Sequence, residues 1–228
     1  MRNIKWFVFF LIAFLITGIL VCFFNYIIDP FGIFGDKFLK WYSYDMVNNP
    51  RIAKIAYLDQ FYEKYNSYVI GGSKSSSISP DTLNSYYKDA SFYSMMMYGG
   101  DFYDYEKTMY YIINNYHVKN IIIHMSMHEI SHYNEPNTAI NTELSAKVTE
   151  DSLLKFYTKF LTLNLKYSFQ KIEGLFRRQI DSFEYSQIRP EDGVYNKSRR
   201  DAEDLGSLDE FLAKYPEFTW DLPKVSGI

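Results

Sequence analysis

A single cysteine, Cys22, occurs among the 228 residues, and it lies in an apolar N-terminal stretch. No intrachain disulfide is therefore available. The chain also lacks an excess of either charge: 24 Lys and Arg stand against 27 Asp and Glu, a net of −3, and the basic residues are scattered. That leaves no electrostatic footprint for nucleic acid. There are no internal repeats, and the apolar stretch contains no small-residue cleavage site. Histidine is scarce as well: the four are His117, His124, His128 and His132, all in one short region. What the chain does have is apolar bulk, 47% of residues, with 22 tyrosines and 19 phenylalanines. That composition supports an aromatic, partly amphipathic core and argues against disorder.

From Trp6 to Phe24 the sequence carries no charge. At ~1.5 Å per residue such a segment spans roughly 28 Å, close to the hydrocarbon thickness of a bilayer. A secretory signal would have a shorter apolar region and a cleavage site, so the stretch reads as an uncleaved anchor. Ile19-Leu20-Val21-Cys22 carries bulky Val21 where a lipoprotein signal needs a small residue, so Cys22 reads as an apolar residue of the anchor. Arg2 and Lys5 precede the span, which places the N-terminus in the cytoplasm and the rest outside. The expected division is an anchor over 1–28, a connector over 29–50, an α/β domain over 51–180 and a polar segment over 181–228.

Within the outer part the periodicity alternates. Arg51 to Tyr65 has helical spacing, and Ser67 to Ile70 is a short buried strand. Ser79-Pro80-Asp81 starts a helix, with a cap, a first-turn proline and a dipole-matched acid. Ala90 to Met97 reads as a second strand, closed by Gly99-Gly100. Asp101 caps a helix to about Tyr116, and Lys119 to Met125 is a third strand rich in isoleucine. Strands alternating with helices predict a parallel sheet with right-handed crossovers, so the fold class is α/β. Asp151 to Ile180 reads as one long or broken amphipathic helix, and no fourth strand is evident.

The stretch Tyr68-Val69-Ile70-Gly71-Gly72-Ser73-Lys74-Ser75 runs an apolar strand into a serine turn. Glycine lets the backbone turn and a ligand approach closely. A serine there is where several hydrolase folds place a nucleophile. The plainer reading is a loop whose hydroxyls bond the backbone.

The order of anchor, Gly71-Gly72-Ser73 turn and Gly99-Gly100 turn resembles the SGNH/GDSL hydrolase-like superfamily, in its membrane-anchored branch linked to cell-surface polysaccharide modification. The resemblance covers about residues 1–133. It implies a partial flavodoxin-like sheet, Ser73 as nucleophile, and Gly99 and Gly100 around the oxyanion. His128 stands near the family's asparagine position as a third oxyanion donor. Gly72 replaces the usual aspartate. The implied activity is acyl-ester hydrolysis or O-acyl transfer on a cell-surface polysaccharide, with no cofactor. The implied partners are the lipid bilayer and a membrane-embedded acyltransferase. Family members carry an Asp-x-x-His near the C-terminus; none stands here, so the expectation is a truncated, weakly active or inactive chain. A non-enzymatic, membrane-tethered accessory protein is the alternative. A third reading is zinc hydrolysis, since His128-Glu129-Ile130-Ser131-His132 matches H-E-x-x-H. Glu143 or Glu150 could complete that ligand set. Zinc needs a helix there, whereas a β-branched strand before it and Asn134 and Pro136 after it predict none.

Overall fold

An apolar run with no internal breaker forms one long helix, α1 (Arg2–Ile28), in the computed structural model of the chain. The structure describes residues 2–39, 49–131, 136, 138–162, 165–177, 191–195 and 207–214. Ile4–Ile28 of α1 is long and apolar enough to cross a membrane, and none of its most apolar window is buried in the protein. The chain divides into two compact units, Met1–Tyr195 and Asn196–Ile228.

The helix does not end in a loose linker. Asp29 turns into the left-handed region (φ 44), followed by Gly32 (φ 66), Gly35 (φ 79) and Asp36 (φ 46). The buried Asp29 carboxylate accepts the N–H groups of Ile33 (2.8 Å), Phe34 (2.9 Å) and Asp36 (2.9 Å). Residues 29–36 are thus a hydrogen-bonded knot, where the sequence had suggested a connector. Asp29-Pro30-Phe31-Gly32 does stop the helix as expected. Residues 40–48 of that connector lie outside the described residues.

The remaining elements of the first unit are α2 (Pro50–Phe61), β1 (Ser67–Gly71), α3 (Pro80–Tyr86), β2 (Phe92–Met96), α4 (Phe102–Asn115), β3 (Asn120–His124), α5 (Met127–Ser131), α6 (Ala146–Thr149), α7 (Leu153–Thr162) and α8 (Lys166–Arg177). The strands form one parallel sheet in the order β2-β1-β3. The alternation of strand and helix had predicted that arrangement. Central β1 is buried along its whole length, with Tyr68, Val69 and Ile70 at 0% exposure. Tyr68 and Ile70 pack with Leu58, Tyr93, Met95, Tyr105 and Ile112 into the main core. β3 is only half buried.

Expected caps are present. Ser79 Oγ accepts the Thr82 N–H, and Asp101 and Asp104 form a reciprocal capping box at the start of α4. The predicted helix over 151–180 is broken into α7 and α8, with 163–164 and 178–180 outside the described residues. The chain at 191–195, read from sequence as polar tail, covers the free edge of β2. Ser94 N–H donates to Asp192 O (2.7 Å), Tyr65 Oη donates to Glu191 O (2.6 Å), and Tyr195 is buried against Tyr98. The remainder of 181–206 and residues 215–228 lie outside the described residues. In the second unit α9 (Leu208–Lys214) is capped by Ser207 and Glu210.

Lys54 of α2 is buried, its Nζ donating to Ser94 O and Met96 O, each at 3.0 Å. Burial lowers its pKa to about 7, opposed only by the negative charge of Asp192. The folded state therefore binds fewer protons here than the unfolded chain between pH 7 and the ordinary lysine range near 10.5. Stability should rise with pH across that window. Thermal melts of Lys54→Met should lose this rise; an unchanged pH slope in the variant would refute the assignment.

Candidate functional site

The parallel sheet brings the carboxyl ends of its three strands to one edge, where open α/β sheets place ligands. Ser73 lies two residues past the end of β1 and opens a 3-10 turn, Ser73–Ser77. Gly99 and Gly100 follow β2. His124 ends β3 directly opposite Gly71 in the register, and His128 and Glu129 follow on α5.

The serines of the turn differ in use. Ser75 is buried and its Oγ donates to Gly72 O (2.7 Å), and Ser77 Oγ donates to Lys74 O (2.9 Å). These two behave as backbone-satisfying hydroxyls. Ser73 is exposed, and its hydroxyl has no hydrogen-bond partner among the described residues. Its backbone N–H opens the turn, where amide donors have no intrahelical acceptor.

Gly71 and Gly72 are required by close approach. A Cβ on Gly71 would lie 2.8 Å from His124 O and 2.9 Å from Ser75 Cβ. A Cβ on Gly72 would lie 2.5 Å from Glu129 Oε1 and 2.7 Å from Tyr105 Oη. The second glycine therefore admits a carboxylate and a phenol beside the residue that precedes Ser73.

The Gly99-Gly100 pair divides its work. Gly99 adopts φ +54, which glycine tolerates without strain. Gly100 N–H donates to Met97 O (3.2 Å) and closes the turn, so that donor is already engaged. Gly100 O accepts from Tyr105 Oη (2.8 Å). Of the two amides, that of Gly100 is engaged, and that of Gly99 has no hydrogen-bond partner among the described residues. The turn is clamped from beneath: Arg51 donates to Tyr98 O (2.6 Å) and pairs with Asp104 Oδ2 (2.6 Å), both side chains 3% exposed.

Helix α5 begins where the sequence context predicted no helix. The reason is a local cap: the Glu129 carboxylate returns to accept the Ser126 N–H (2.5 Å), and Ile130 N–H bonds Ser126 O. Ser126-Met127-His128-Glu129 carries the S-x-x-E signature, so this signal was available in the chain. Burial works against the charge on Glu129, but the Ser126 N–H and hydroxyl, Tyr105 and the nearby His124 hold its carboxyl below the usual range. Burial and Glu129 in turn push the Tyr105 phenol well above its usual range. Glu129 thus faces the sheet end. His132, the second histidine of the H-E-x-x-H match, lies outside the described residues, as does the orientation of the His128 side chain. Among the described residues no three His, Cys, Asp or Glu side chains are grouped to hold a metal.

His124 was not singled out in the sequence, yet it is the histidine that the register sets beside Gly71. Its Nδ1 is buried with no hydrogen-bond partner among the described residues. Such a group costs about 1–3 kcal/mol unless something bonds it. No protein-family model, curated protein or solved structure matches this chain.

Proposed function

We propose that the strand-end site is an acyl-ester site of the SGNH/GDSL hydrolase-like type, working as a hydrolase or O-acyltransferase on cell-surface polysaccharide. The flavodoxin-like architecture that this implies is consistent with the order β2-β1-β3. α1 anchors it in the membrane, and Arg2 and Lys5 orient the site outward. The observation that carries the reading is Ser73, exposed and without a hydrogen-bond partner among the described residues, in a turn where Ser75 and Ser77 bond the backbone and the unpartnered Ser76 Oγ is buried.

In this reading Ser73 Oγ attacks the ester carbonyl and gives its proton to His124. The imidazolium is stabilised by Glu129, whose carboxylate is already charged and held in place. The negative charge on the carbonyl oxygen is met by the N–H groups of Ser73 and Gly99. Collapse of the tetrahedral species expels the sugar alkoxide, which takes the proton from His124. Water or an acceptor hydroxyl then removes the acyl group. Ser73 and His124 share no hydrogen bond in the resting structure, so the serine is unactivated at rest and turnover is slow. The absence of an Asp-x-x-His had suggested a weakly active or inactive chain; in this reading His124 is a base that the sequence analysis had not placed.

The test is fluorophosphonate labelling of the full chain in nanodiscs, read by mass spectrometry. The expected result is slow modification of Ser73, lost in Ser73→Ala and at least about tenfold slower in His124→Ala, the lower end of what one acid–base group contributes. His128→Ala should label at the parent rate. Absence of label at Ser73 would overturn the reading in favour of a non-enzymatic accessory protein. Rescue-sensitive loss with His128→Ala alone would move the base to α5. Metal-dependent hydrolysis abolished by Glu129→Gln would favour zinc instead.

A further inference from the structure

We infer that Tyr105 is a positioning residue of the strand-end site: its phenol oxygen ties the turn after β2 to the Glu129 carboxylate, across the gap that Gly72 leaves open. The inference rests on the acyl-ester reading of that site and concerns what holds its parts in register.

Three segments must keep their places there, one after each strand, and the side chain that reaches all three comes from α4. Tyr105 is 2% exposed, and its Oη donates to Gly100 O (2.8 Å). The phenol also hydrogen-bonds the Glu129 carboxylate, from the helix after β3. A Cβ on Gly72 would lie 2.7 Å from Tyr105 Oη and 2.5 Å from Glu129 Oε1, so the two oxygens meet against the residue that precedes Ser73. A Cβ on Gly100 would lie 2.7 Å from Tyr105 Cε1, so the ring is fitted to that glycine as well.

The turn after β2 is thereby pinned on both sides of Gly99. Arg51, paired with Asp104 in the first turn of α4, donates to Tyr98 O. In a planar trans peptide the Gly99 N–H points opposite to the Tyr98 C=O, so that bond also sets the direction of the amide. Tyr105, the next residue after Asp104, holds the carbonyl of Gly100. The capping box of Asp101 and Asp104 fixes the helical turn from which both side chains act. Burial first, then the charge and hydrogen bond of Glu129, push the phenol well above its ordinary range, so it stays a donor at neutral pH. Its one proton serves two acceptors, Gly100 O and the carboxylate. A phenylalanine would keep the ring and lose the tie; Glu129 would retain its Ser126 bond but no link to the turn. The two groups set loose meet charge only as the ester reacts, Gly99 N–H at the carbonyl oxygen and Glu129 at the imidazolium. The loss therefore falls on the rate of the bound complex and not on affinity for the probe.

The experiment carries fluorophosphonate labelling of Ser73, with the full chain in nanodiscs, through a series of probe concentrations. It reads the rate at saturating probe, the half-saturating concentration and the fraction finally labelled. Tyr105→Phe should slow the saturated rate about tenfold or more, short of the ~100-fold that loss of an oxyanion donor itself brings. Its half-saturating concentration and final fraction should match the parent. Gly72→Ala, whose methyl would meet both oxygens, should slow the rate similarly. The double variant should be no slower than the slower single one, because one tie is cut once. Tyr111→Phe, which removes another phenol of α4 where it bonds Asp59 (2.8 Å), should label at the parent rate. Parent-like labelling of Tyr105→Phe would overturn the proposal alone. So would a loss confined to the final fraction or the half-saturating concentration, or an equal loss in Tyr111→Phe, since each marks a general structural role. Losses that multiply in the double variant would overturn the shared tie. No label on Ser73 in the parent would overturn the acyl-ester reading, and this inference with it.

Discussion

Replacing Arg51 by alanine is expected to remove about 3–5 kcal/mol of stability, the range for leaving a buried charge without its partner. For a chain of this size that lowers Tm by roughly 10 °C. Arg51 joins three things in one place: α2, the first turn of α4 through Asp104, and the turn after β2 through Tyr98 O. Its loss would strand the Asp104 carboxylate at 2% exposure and release the Tyr98 carbonyl that sets the Gly99 turn. Burial already pushes the Asp104 carboxyl up, against the pull of Arg51, so the variant would protonate there more readily. Arg51→Lys should recover little, because one ammonium cannot bond both acceptors with the planar fork of a guanidinium. Arg51→Met combined with Asp104→Asn should recover more, since no buried charge remains and an acceptor stays for the Asp101 N–H. Melts of the parent and the three variants decide the matter. A double variant no better than Arg51→Ala would show that the clamp on Tyr98 O, and not the ion pair, carries the effect.

The elements legible in the sequence are those set by local chemistry. Tyr68-Val69-Ile70 and Ile121-Ile122-Ile123 became strands because their β-branched and aromatic residues suit a pleated buried surface. Ser79 and Asp101 marked helix starts because their side chains bond amides three residues ahead. The strand ends were therefore foreseen, and with them the gathering of Ser73, Gly99 and the β3 end at one edge.

What was missed depends on pairing at a distance. The placing of His124 beside Gly71 follows from the β1–β3 register, which is not written in either strand alone. Arg51 was read only as the start of a helical stretch, and its two acceptors lie 53 and 47 residues away. Residues 191–195 read as polar tail because Asp192 and Gly193 are common loop residues. Their place is fixed by the free edge of β2, which accepts any backbone able to pair with it. Glu129 was the opposite case: its signal was local, in Ser126-x-x-Glu129, but a competing motif of the same letters drew attention to zinc.

The second large effect is expected at Lys171, and its pH dependence identifies the cause. Lys171 is 2% exposed and neutralises a pocket that holds the Asp29 and Asp36 carboxylates, themselves 2% and 3% exposed. Burial raises the Asp29 pKa to about 6, and the positive charge of Lys171 is the chief influence opposing that rise. In the parent chain, then, Asp29 favours folding below its ordinary value of 3.8, and that contribution is lost as pH rises through about 6. Lys171→Met removes the opposing charge, so the folded pKa of Asp29 moves higher and the loss extends to higher pH. At pH 4 Asp29 is largely neutral in the variant, and parent and variant should differ little. Above pH 7 the carboxylates must ionise without a cation, and the variant should lose about 3–5 kcal/mol. Hydrogen exchange localises the damage: the amides of Ile33, Phe34 and Asp36, which bond the Asp29 carboxylate, should lose protection first. Amides of β1 should keep theirs, since no part of that pocket touches the sheet core. A loss equal at pH 4 and pH 8 would show that Lys171 acts through its methylene packing, and that the charges at the foot of the anchor are incidental to the hold of that foot on α8.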